Sequence, residues 1–170
     1  MDEPVLIVPY DPQWPILYEH ERESIAGAMR DAILGIEHFG STAVPGMPSK
    51  PVIDILVLVA QLDPVAAYAG PLKLLGYEYL DLQDLPAEHI FLHKGSPRTH
   101  HLHIVPRGSH EHRRHIAFRD YLRTHPETAR EYAELKLALA VKFCYERENY
   151  TNAKTDFIRA IEAQAGVTLP

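Results

Sequence analysis

Only one cysteine, Cys144, occurs among the 170 residues. That excludes an internal disulfide and a metal site built from several thiolates. Cys144 falls in an apolar helical run, which predicts a buried, inert thiol. No stretch approaches the length of a membrane span. The opening MDEPVLIVPYDPQW is acidic and lacks a long apolar core, so it does not read as a secretory signal, and a cytoplasmic protein is expected. Long blocks of like charge are absent as well, and the net charge is −6. Duplex DNA binding without sequence preference wants a basic face, so it is not expected here. The one local basic patch is Arg107, Arg113, Arg114, Arg119 and Arg123. There is no internal repeat and no low-complexity tract.

What is present is a 46% hydrophobic content, enough for an ordinary core in a single domain spanning 1–170. Histidine is abundant, with 11 residues, most of them between His89 and His125. Val5–Val8 reads as an edge strand or extended arm. Asp11-Pro12 offers a helix start, and the helical spacing of Trp14, Leu17, Tyr18, Ile25, Met29 and Ala32 predicts a helix from Gln13 to about Leu34, stopped by Gly35. Ile36–Phe39 is a short strand. Val52–Val59 is a near-continuous apolar run, as in a central strand covered on both faces. A helix follows Asp63-Pro64 to about Leu75, then a strand over Tyr77–Leu82. Glu88–His93 and Thr99–Val105 flank Lys94-Gly95-Ser96-Pro97-Arg98 and read as a hairpin. Helices are expected over Glu111–Arg123, Pro126–Glu146 and Asn149–Ala165, with Leu135, Leu137, Leu139, Val141 and Phe143 as core. The layout is α+β: a mixed β-sheet flanked by helices, with a C-terminal helical segment.

The stretch HFGSTAVPGMPSKPVIDILVLV, from His38 to Val59, carries the most chemistry. A Gly40-Ser41 turn leaves backbone N–H groups free to face a phosphate. The stiff loop Thr42–Pro51 leads into a buried strand that holds one carboxylate, Asp54. An Asp among Val, Ile and Leu is costly to bury without a partner or a metal. A structural Asp54 paired with Lys50 is the alternative. His101 and His103 form a His-x-His on a strand, where both rings leave on one face, a sound metal geometry. His89 and His93 share one face of the partner strand. If odd positions pair with odd, four imidazoles and Asp54 converge, whereas a slip of one residue separates them; otherwise His89 and His93 are solvated. HHLHIVPR is also similar to the histidine-triad nucleotide-hydrolase motif, but position 99 is Thr, so that pattern is incomplete. FRDYLR with Glu127 reads as a structural charge network.

Gly40-Ser41 followed by an Asp in a hydrophobic strand resembles the signature of the DNA polymerase β-like nucleotidyltransferase superfamily. More closely, HFGSTAVPGMPSKPVIDILV, THHLHIV, FRDYLRTHPE and YTNAK followed by FI resemble the GrpB (UPF0157-type) family, over about Pro9 to Ile161. The resemblance implies a nucleotidyltransferase-like fold, a nucleotide or phosphate-containing small molecule as ligand, and a divalent metal: Mg, Mn or Zn. It places Asp54 as catalytic residue and metal ligand, and His101 and His103 near the position of a carboxylate that the superfamily takes from a neighbouring strand. Gly40, Ser41, Thr42, Lys50, Arg107 and Lys154 are the phosphate candidates, Lys154 through its place in YTNAK. The sequence departs from the superfamily at Val52 and Leu56, neither of which can ligate, where a second carboxylate two residues from Asp54 would hold Mg²⁺. Imidazole favours Zn²⁺, Ni²⁺ or Fe²⁺ over Mg²⁺. Three functions remain open: nucleotide binding with nucleotidyl transfer, a non-catalytic module for a nucleotide, CoA-like ligand or protein, and a metal-dependent hydrolase.

Overall fold

The run IDILVLV forms β2 (Ile53–Val59), and every residue in it except Asp54 is buried. In this computed structural model residues 4–81 and 88–168 are described; Leu82, the expected end of one strand, lies outside them. β2 pairs antiparallel with β1 (Gly35–Phe39) and parallel with β5 (His100–Pro106). β5 pairs antiparallel with β4 (Ile90–Lys94), which pairs antiparallel with β3 (Tyr77–Leu80). The result is a five-stranded mixed sheet in the order β1-β2-β5-β4-β3.

Alternation assigns the two faces. Ile53, Ile55, Val57, Val59, Leu102 and Ile104 pack against α1 (Trp14–Met29) and α2 (Ala66–Lys73) through Trp14, Tyr18, Ile25, Tyr68 and Leu72. On the opposite face Phe39, Leu56, Leu58 and Val105 meet Ile116 of α3 (His110–Thr124). Then α4 (Pro126–Lys142), α5 (Arg147–Asn152) and α6 (Thr155–Gln164) follow. Phe118, Leu122, Tyr132 and Ile161 from these helices enclose Val44 and Met47 of the loop before β2. Buried Arg119 ties α3 to β1, donating to Glu37 Oε2 at 2.8 Å and to the His38 carbonyl at 2.9 Å. The Leu102 side chain is fully buried at the centre of the sheet. Leu102→Ala is therefore expected to lower the unfolding free energy by about 2–5 kcal/mol, read as an earlier urea midpoint with an unchanged slope.

Several boundaries differ from expectation. α1 ends at Met29, because Arg30 turns to φ 47° and Leu34 N–H leaves to bond the Leu58 carbonyl at 2.7 Å. Asp11 does not cap α1; its Oδ1 accepts from the N–H of Gln13, the residue just before the helix, at 2.9 Å. Val5–Val8 is an extended arm whose Val8 bridges Ser49. α4 stops at Lys142, and Cys144 beyond it is only half-buried. Leu137 and Val141 are 45% and 85% exposed. An every-second-residue series cannot share one helical face, because the helix repeats every 3.6 residues. The helix expected over Asn149–Ala165 is two helices, α5 and α6, broken at Ala153-Lys154. Among the described residues no helix is long and apolar enough to cross a membrane.

Candidate functional site

Asp54 is the second residue of β2, where the sheet opens toward the C-terminal helices. Phe39, the last residue of β1, lies opposite it on one side and His101 of β5 on the other. The chain leaves β1 through Gly40, whose φ of 71° and ψ of −171° fall in a region open essentially to glycine alone. A Cβ on Gly40 would also lie 2.5 Å from Asp54 Oδ2. The turn and the carboxylate are thus built against each other.

His101 Nδ1 lies 3.1 Å from Asp54 Oδ1, and its Nε2 lies 3.5 Å from Arg147 Nη2. A guanidinium only donates, so Nε2 accepts and Nδ1 carries the proton donated to Asp54. The Asp54 side chain is 27% exposed. Burial alone would raise its pKa, but the His101 hydrogen bond and the His101, Lys50 and His38 charges bring it below the ordinary carboxylate value. Asp54 is ionised at neutral pH, and it orients one imidazole.

A cavity of about 420 Å³ opens beside this pair. Its wall carries three lysines from three elements: Lys50 before β2, Lys136 of α4 and Lys154 at the α5–α6 break. Lys136 is 2% exposed and donates to Ser41 Oγ at 2.9 Å and to the Pro48 carbonyl, fastening the Gly40-Ser41 turn. Lys50 and Lys154 lie over the Tyr150 ring, 5.3 and 4.3 Å from its centroid. Among the described residues none of the three lysines forms an ion pair with a carboxylate. Burial, then the neighbouring cations, pushes Lys136 and Lys154 down to about 7, with Asp54 pulling the other way; Lys50 is lowered for the same reasons. The three lysines outnumber the carboxylates Asp54 and Glu162 on this wall, and Glu162 is taken by Arg114, so the potential here is positive.

The predicted residues divide. Gly40, Ser41, Lys50, Asp54, His101, His103 and Lys154 all line the cavity. Thr42 does not; it is buried, and its hydroxyl meets His38 Nε2 at 2.9 Å on the far side of the turn. Arg107 does not either. It follows β5, bonded through its N–H to the Val59 carbonyl, at the opposite end of β2 from Asp54. The hairpin does pair odd with odd, so His93 faces His101 and Phe91 faces His103. His89 is buried rather than solvated. His103 Nδ1 is 2.6 Å from His89 Nε2, and Glu111 Oε2 is 3.4 Å from His89 Nδ1 and 3.5 Å from His115 Nε2. Burial, with His89 and His115 adding to it, holds His103 well below the ordinary imidazole value.

That arrangement decides how a divalent metal would fit. His101 turns Nδ1 to Asp54 and His103 turns Nδ1 to His89. Among the described residues no group of three His, Cys, Asp or Glu is placed to hold an ion. With Val52 and Leu56 flanking Asp54 and three ammonium groups on the cavity wall, the expected set Asp54, His101 and His103 does not fit a protein-held metal.

The family model described as GrpB protein matches residues 4–164. The chain belongs to the GrpB family. It is 40% identical over 169 residues to the UPF0157 protein PA4798 of Pseudomonas aeruginosa, covering 96% of this chain and 69% of that protein. It is 34% identical over 161 residues to the UPF0157 protein YqkA of Bacillus subtilis, where it spans 47% of the length. The crystal structure of the conserved protein GrpB from Enterococcus faecalis superposes with a TM-score of 0.87 at 36% identity, covering 94% of this chain and 96% of that one. Cid1 in complex with the UTP analog UMPNPP superposes with a TM-score of 0.51 at 15% identity, over 77% of this chain and 40% of that one. That likeness shows a nucleotidyltransferase fold. On this GrpB scaffold the sequence reading missed Lys136, Tyr150 and Arg147, all on the cavity wall. Lys136 had one sign: it lies four residues after Tyr132, on the same helical face, within an otherwise apolar run.

Proposed function

We propose that the cavity binds a nucleotide or other phosphate ester, with nucleotidyl transfer as the reaction it serves. The observation that carries this reading is the set of three lysines on the cavity wall, without carboxylate partners among the described residues, one of them bonded to Ser41 of the Gly40-Ser41 turn. Lys50 and Lys154 are the point charges for the phosphates, and both rest on the buried Tyr150 ring. The Cid1 complex with a UTP analog, on the same fold, supports the choice of a nucleotide over a simple anion. In nucleotidyl transfer an acceptor hydroxyl attacks the α-phosphorus and pyrophosphate leaves. His101 is the base for that hydroxyl: Asp54 holds its Nδ1–H, and the hydroxyl takes the place of Arg147 at Nε2, which then accepts the proton. Most of the rate would then come from positioning and charge stabilisation.

A second reading, a binding module without turnover, is favoured by the apolar Val52 and Leu56 beside Asp54. Both readings require ligand-induced stabilisation, about 2.7 kcal/mol at a hundredfold excess over Kd. Thermal shift with UTP, ATP and pyrophosphate is expected to raise the Tm of the wild type, and to raise that of Lys154→Met far less. No shift with any of the three, or equal shifts in both proteins, would remove the phosphate reading. Release of pyrophosphate from UTP with an added hydroxyl acceptor, together with formation of the uridylylated acceptor, in the wild type and not in His101→Gln would separate transfer from binding alone.

A further inference from the structure

A polyphosphate normally reaches a nucleotidyltransferase site as its magnesium complex, held by two or three carboxylates that bind the ion. Here the residues two positions either side of Asp54 are Val52, just before β2, and Leu56 within it. The facing histidines are engaged with Asp54 and with His89. Where a cation would be expected to enter, the wall already carries Lys50, Lys136 and Lys154, each from a different element. Glu162, the other carboxylate on the wall, accepts from Arg114 at 3.0 Å. Asp54 therefore faces three lysines as the one carboxylate on the wall not taken by an arginine, with Arg98 and Arg147 on the same wall and Arg147 beside His101.

Resting on the phosphate reading above, we propose that this pocket takes a polyphosphate ligand in its metal-free form, the ammonium groups of Lys50, Lys136 and Lys154 providing the countercharge that a divalent ion provides elsewhere in this fold. Two physical points carry it. A magnesium ion entering with the ligand would meet several fixed cations in a partly desolvated cavity, where like charges repel more strongly than in water. The ligand would also arrive partly neutralised, so each lysine would gain less from it. Lys136 is fixed in place by Ser41 and Pro48, so part of this countercharge is preorganised at the Gly40-Ser41 turn before any ligand enters.

The test is calorimetric titration of the full chain with ATP and with pyrophosphate, once in EDTA and once in excess Mg²⁺. The expected result is binding in EDTA at least as tight as in Mg²⁺, with a several-fold loss on adding the metal. In Lys50→Met/Lys154→Met, which keeps the aliphatic stems, the EDTA-phase affinity should fall about a hundredfold, while the Tm of the free protein, measured alongside, stays at or above that of the wild type. Val52→Asp, which puts a second carboxylate beside Asp54 at the cavity, should shift preference toward the magnesium complex. Binding seen only with Mg²⁺, or at least tenfold tighter with it, overturns the inference and leaves the phosphate reading standing. An affinity unchanged in the folded double variant overturns the lysine assignment. Absence of binding by ATP and pyrophosphate in both buffers overturns the inference and the phosphate reading together.

Discussion

Replacing Gly40 with alanine is expected to lower stability by about 3 kcal/mol and to abolish ligand binding together. Two causes add. The backbone at Gly40 has φ 71° and ψ −171°, where a residue with a side chain is strained by about 1–3 kcal/mol. The new Cβ would also lie 2.5 Å from Asp54 Oδ2 and 3.2 Å from its Cβ and Cγ. Asp54 belongs to an interior strand, paired on both sides, and cannot retreat without disturbing β2, so the turn must move. Ser41 moves with it, and Lys136 loses its hydroxyl acceptor. In a chain of this size about 3 kcal/mol corresponds to a fall in Tm of roughly 6–12 °C. Gly46 is the control: it too has a positive φ, 79°, but nothing lies within 4 Å of the Cβ position. Gly46→Ala should therefore show the strain alone and keep the site. Equal effects of the two substitutions on ligand binding would mean that the Gly40–Asp54 contact does not build the pocket.

The second large effect is on pH dependence, and its sign is opposite in the free and bound protein. In the folded chain Lys136 and Lys154 titrate at about 7, first because of burial and then because of neighbouring cations. For Lys136 those cations are Lys154 and Lys50; for Lys154 they are Lys50 and Arg147; Asp54 opposes the shift at both. Tyr132 and Tyr150 contribute no charge in this window, because burial raises their hydroxyls further. In the unfolded chain both lysines titrate near about 10.4. Folded values lie below unfolded ones, so the unfolded state binds more protons between about pH 7 and 10 and stability rises with pH across that window. Below 7 both states are protonated, and the full cost of the buried charges is present. The slope is at most about 1.4 kcal/mol per pH unit for each lysine, less where water screens it. A bound phosphate favours the ammonium form, so ligand binding takes up protons above about pH 7 and weakens as pH rises. Urea titrations between about pH 6.5 and 9, with and without pyrophosphate, should show a rising curve for the free protein and a flatter or falling one for the complex. Lys136→Met/Lys154→Met should flatten the free curve; an unchanged slope in that variant would place the titration elsewhere.

How much of this was legible in the sequence depends on whether a residue's role is local. β2 was legible because a continuous apolar run has few ways to be satisfied other than as a central strand, and the lone Asp54 in it marks the site. Gly40, Ser41 and Lys50 were legible because they bracket one short loop. The odd-with-odd register was offered by the alternation of histidines, though only pairing could choose it. Arg107 was misplaced because nearness in sequence to His101 is not nearness in space: six residues of extended strand span about 20 Å. Lys136 was missed because its meeting with Ser41 depends on how α4 crosses the loop before β2, which no local pattern records. The break at Ala153-Lys154 was missed for a similar reason. Every residue there tolerates a helix, and only the placing of Tyr150 and Lys154 against the cavity shows why the helix divides.

The most direct measurement is a crystal structure of the wild-type protein grown with pyrophosphate in EDTA. The account predicts phosphate oxygens within hydrogen-bonding distance of Lys50 and Lys154 Nζ, beside the Gly40-Ser41 turn, with the Asp54–His101 contact preserved. Phosphates found instead on the exposed arginines near Arg107, with the cavity unchanged, would contradict it.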